Sequence, residues 1–103
     1  MRSEVVVRLD AAQELTLPLE GIEPMPMDVA RWWLDEQFVK HECTVLRPTG
    51  KVLIADKVLA IAATVGREQF DNLAWARDFA RAAASALGKP TVRIDTQAMT
   101  VAY

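Results

Sequence analysis

Trp32 and Trp33 stand side by side in a segment of helical periodicity, and that adjacency constrains the fold more than any other feature. Neighbouring side chains on a helix point about 100° apart, so one packing partner cannot cover both rings. Val29 to Glu42 reads as a helix of about four turns, with Asp28 placed to cap it. Met27, Ala30, Leu34, Phe38 and His41 share one face, flanked by Trp33 and Gln37, while Val29, Trp32 and Val39 lie round the other side. Arg31, Asp35 and Glu42 are left as a narrow polar wedge. A helix apolar over most of its circumference is covered by more than one element.

The same excess recurs in Arg67 to Leu87, a helix stopped by Gly88 and Pro90. Leu73, Ala76, Ala80, Ala83, Ala84 and Leu87 form one stripe, and Trp75, Phe79, Ala82 and Ala86 form a second beside it. Arg67, Asp71, Arg77, Asp78, Arg81 and Ser85 make the polar face.

The remaining segments read as strands. Val5, Val7 and Leu9 alternate, as do Leu15, Leu17 and Leu19, and Asp10 to Gln13 joins them as a hairpin. Pro18 cannot donate to a ladder, which puts the second strand at a sheet edge or ends its pairing there. Gly21 to Met27 is a proline-marked loop. Arg47-Pro48-Thr49-Gly50 carries the signature of a tight turn between two strands. Val52 to Val65 fits either a hairpin turning at Asp56-Lys57 or a helix with Ile54, Val58, Ile61, Ala62 and Val65 in one stripe. Its β-branched content favours the hairpin. Val92 and Ile94, then Met99, Val101 and Tyr103, alternate through two strands joined at Asp95 to Gln97. The expected fold is α+β, a single domain over residues 1–103. It has two layers, a mainly antiparallel sheet and two helices, in the order ββ-α-βββ-α-ββ.

Composition narrows the chemistry. Of 103 residues 51% are hydrophobic, enough to fill one core and too many for a disordered chain. One Cys excludes a disulfide framework and a multi-thiolate zinc site within the chain, and a lone thiol fits a reducing cytoplasm. The start of the chain does not read as a signal peptide, and no apolar run is long enough for a membrane span. The four glycines are isolated at element boundaries, so no phosphate cradle is present. Ser3 and Ser85 do not sit on a nucleophile turn, and Asp35 and Glu36 diverge on their helix. Arg67, Arg77 and Arg81 share their face with Asp71 and Asp78 in a chain of net charge -2, which speaks against nucleic acid. The charge is uneven: nine acids and four bases in residues 1–42, five acids and eight bases in residues 43–103. No cofactor or metal is expected.

Three functional readings follow. The first is a non-enzymatic, homo-oligomeric interaction protein, a homodimer in its simplest form, with Trp32, Trp33, Trp75, Phe79, Ala82 and Ala86 at the contact. The second is a binder of an apolar small molecule, using the same aromatic residues with Met25 and Met27. The third is a small enzyme built on His41 and Cys43, the one cluster of reactive side chains.

Overall fold

The structure, a computed structural model, describes residues 3–45 and 50–103. Its elements are β1 (Glu4–Arg8), β2 (Glu14–Pro18), α1 (Met27–Lys40), α2 (Ile54–Phe70), α3 (Leu73–Leu87), β3 (Thr91–Asp95) and β4 (Thr100–Ala102). The class is α+β. The sheet runs β2-β1-β3-β4. β1 pairs antiparallel with β2 and parallel with β3, and β3 pairs antiparallel with β4. The sheet is therefore mixed rather than mainly antiparallel, because the chain passes through all three helices before β3 returns beside β1. The β1–β2 hairpin forms as its alternation implies, and β2, with Pro18, is an edge strand.

Among the described residues three helices replace the expected two. Val52 to Val65 is not a hairpin: α2 begins at Ile54 and carries Val58, Ile61 and Ala62 into the core. Four alanines between residues 55 and 63 favour a helix over a strand. Asp56, read as a hairpin turn, instead sits in the first helical turn, where its Oδ2 accepts the Leu53 N–H at 3.3 Å. A carboxylate there satisfies an otherwise unpaired donor and complements the helix dipole. Lys57, the other supposed turn residue, pairs with Asp35 of α1. Residues 46–49, which include most of the expected Arg47–Gly50 turn, lie outside the described residues; Thr44, Val45 and Gly50 to Leu53 on either side are not strands.

The long helix expected from Arg67 is also divided. Gly66 takes φ 67 and ψ -170 and kinks α2, which continues to Phe70. The chain then breaks, and Asn72 caps α3 by accepting the Trp75 N–H on its side chain at 3.2 Å. Gly88 ends α3 in the left-handed conformation, as its place in the sequence requires. α1 starts at Met27 behind Pro26; Asp28 lies in its first turn and does not cap it.

α2 and α3 lie against the sheet, and α1 packs across α3 and α2. The core joins Val5, Val7, Val92 and Ile94 of the sheet to Leu34, Val58, Ile61, Phe79 and five alanines of α3, Ala76, Ala80, Ala82, Ala83 and Ala86. The opposite sheet face is charged: Arg8 and Arg93 both reach Glu14 at 3.3 Å, and Arg8 also faces Asp95 at 3.7 Å. Val6 is buried on that face, on the side away from the core.

Candidate functional site

The aromatic residues divide into a buried set and an exposed one. Trp75 and Phe79, one turn apart on α3, stack with ring centroids 5.4 Å apart and planes at 14°. Trp33 of α1 lies 5.7 Å from Trp75, and Phe70, at the end of α2, meets both Trp75 and Phe79 edge-on at 5.2 and 5.3 Å. Such tilted and offset arrangements suit the ring quadrupoles. The second apolar stripe of α3 is thus covered within the chain. Phe79, Ala82 and Ala86 are buried, Trp75 and Trp33 are half-buried, and the cover comes from α1 and from the end of α2.

Gln37 holds this cluster together. It is 5% exposed, the one buried polar residue among those described. Its Oε1 accepts the Trp75 indole N–H at 3.0 Å and lies 3.2 Å from His41 Nε2, with His41 edge-on to Trp75. Sequence reasoning placed Gln37 only at the flank of the apolar face. Its signal was a polar side chain inside the Ala30–Leu34–His41 stripe, where a buried amide needs a partner.

His41 and Cys43 are not joined by a hydrogen bond in the described structure. The His41 ring is engaged with Gln37 and Trp75, while the Cys43 thiol turns toward α2. Burial raises the thiol above its ordinary pKa, and a hydrogen bond with Thr64 opposes that only in part. A buried, protonated thiol is a poor nucleophile. The chain reaches this position through a Schellman turn. The Glu42 N–H donates to Val39 and the Cys43 N–H to Phe38, with Glu42 at φ 52. No group of three or more His, Cys, Asp or Glu able to hold a metal occurs among the described residues.

Of the exposed large apolar side chains described, Val52, Leu53, Leu73 and Tyr103 lie elsewhere, and the others stand on α1. Trp32 is 61% exposed, Val29 44% and Val39 75%, spaced at i, i+3 and i+10 along one stripe. A shallow depression beside Trp32 is bordered by Met27, Asp28, Arg31 and Asp35. The rim carries both signs of charge, from Asp28, Arg31, Asp35, Glu36 and Lys40.

Met25 and Met27 stand apart from the buried aromatic cluster. They line a separate groove against the C-terminal end of α3. On the polar face of α3 Arg81 pairs with Asp78 at 3.1 Å, and at the end of α2 Arg67 pairs with Asp71 at 3.7 Å. No helix among the described residues is long and apolar enough to cross a membrane. Comparison with protein-family models, with curated proteins and with solved structures finds no match to this chain.

Proposed function

We propose that this protein is a homo-oligomeric interaction module whose contact surface is the outer face of α1. The observation that carries the reading is Trp32, 61% exposed between Val29 and Val39 on a stripe that no other element covers among the described residues. Exposed aromatic side chains on a rigid helix are the usual anchors of protein contacts, because they bring large area at small entropic cost. A second copy is the partner best matched by a mixed-sign rim, which opposes self-association less than a single-sign field does. The buried thiol and the engaged His41 ring weigh against chemistry at His41 and Cys43.

Sedimentation equilibrium of the full chain tests this. The wild type is expected to dimerise reversibly, and Trp32→Ala to sediment as a monomer while keeping the thermal unfolding of the monomer. A wild type that stays monomeric at about 100 µM, where even weak dimers are populated, overturns the reading. So does a Trp32→Ala dimer as tight as wild type.

A further inference from the structure

The geometry points to a second site: a groove of about 470 Å³, between the loop after β2 and the C-terminal end of α3, that binds an amphipathic carboxylate. The volume lies in the range of small-molecule pockets. Its apolar wall is Leu19, Ile22, Met25 and Met27, and methionine suits a wall that must adapt to a flexible chain. Among the described residues its charged lining is Arg81 and Lys89, both basic, with no carboxylate. Ser3 and Ser85 also line it. An uncharged apolar ligand would leave the Lys89 ammonium without an ionic partner, and an apolar cation would be repelled by it. An acyl chain ending in a carboxylate satisfies both halves of the lining.

The fold holds these groups in place. The Ile22 N–H donates to Leu19 across a turn in which Gly21 has φ 77. Arg81 Nε donates to the Glu23 carbonyl at 2.8 Å, which fastens the loop to α3. Arg81 Nη1 is shared with Asp78, so part of its charge is already answered. Lys89 has no ion pair among the described residues and carries the unanswered charge. Its position follows from Gly88, which ends α3 and lets the Lys89 N–H return to Ala84. The Pro90 carbonyl accepts the Glu4 N–H at 3.0 Å and pins the far side. Met27 borders both this groove and the depression beside Trp32, so Met25 is the methyl that reports on the groove apart from dimerisation.

Methionine methyl NMR on the full chain, titrated with monomeric decanoate, tests the proposal. Met25 and Met27 are expected to shift saturably, and Met99, on the separate groove between α2 and β4, to stay in place. Decanol is expected to bind more weakly, and decyltrimethylammonium more weakly still. Lys89→Glu, a change at an exposed residue that leaves the core intact, is expected to weaken decanoate about fivefold or more at low salt and far less near 0.5 M. The proposal is overturned by an absence of saturable shifts at millimolar decanoate, by shifts at Met99 instead, by equal binding of the cationic amphiphile, or by a Lys89→Glu affinity equal to wild type.

Discussion

Trp75 donates its indole N–H to Gln37 Oε1 at 3.0 Å, joining α3 to α1 through a buried amide. Indole is a donor only, so this bond fixes which end of the Gln37 amide faces it. The same oxygen lies 3.2 Å from His41 Nε2, which must then also carry a proton toward it. Gln37→Leu keeps the volume and strands the indole N–H, at an expected cost of about 1–3 kcal/mol. In a Trp75→Phe background the donor is gone, and Gln37→Leu is expected to cost much less. Urea denaturation of the four proteins reads the coupling directly. Additive losses would mean that the bond contributes nothing to stability.

Glu42 occupies the left-handed position of the Schellman turn that ends α1, with φ 52. That position ordinarily belongs to glycine, since a side chain there crowds the following carbonyl by roughly 1–2 kcal/mol. Glu42→Gly relieves the crowding but loosens the unfolded chain, so a net gain of about 0.5–1 kcal/mol is expected. Thermal unfolding of Glu42→Gly beside wild type measures it. A lower Tm would show that the Glu42 side chain contributes more than its backbone conformation costs.

These two positions show what was legible from sequence and what was not. Local chemistry read well. The β1–β2 hairpin, the edge position of Pro18, the stop at Gly88 and the strand pair around Asp95 to Gln97 each rest on residues a few positions apart. Val52 to Val65 did not, because its apolar residues satisfy both the two-residue and the 3.6-residue period; its alanines and the acid at the start of α2 decide it. The parallel β1–β3 pairing joins residues more than 80 positions apart, and nothing local encodes it. The candidate surface inherited a second error. With Arg67 to Leu87 read as one helix, Phe70 could not fold back on Phe79, so Phe79, Ala82 and Ala86 looked uncovered. The divergence of Trp32 and Trp33, by contrast, was pure helix geometry: one ring is half-buried against Trp75 and the other stands in solvent.

Gly66 and Gly88 both have positive φ but differ in ψ, and that difference separates their substitutions. Gly88, at φ 69 and ψ 32, is in the left-handed helical region, which asparagine tolerates. Gly66, at φ 67 and ψ -170, lies in a region essentially restricted to glycine. No heavy atom lies within 4 Å of a Cβ built at either position, so the cost is backbone strain and not a clash. Gly66→Asn is expected to lose about 1–3 kcal/mol and Gly88→Asn well under 1 kcal/mol in chemical denaturation. Equal losses would show that α2 straightens at Gly66 when a side chain is present.

Cys43 reports on its own burial through pH. Desolvation raises the thiol's pKa in the folded chain, so folding favours its neutral form. An acid shifted in this direction contributes stability that is present below its unfolded pKa and is lost as pH rises through the folded value. The wild type is therefore expected to lose stability from the ordinary thiol range upward, relative to Cys43→Ala, which carries no such slope. Iodoacetamide should correspondingly modify folded Cys43 at pH 8 at least roughly tenfold more slowly than a small free thiol, and at the ordinary rate once urea unfolds the chain. Fast alkylation of the folded protein would show an accessible thiolate, and would restore the pairing of His41 with Cys43 as a chemical site.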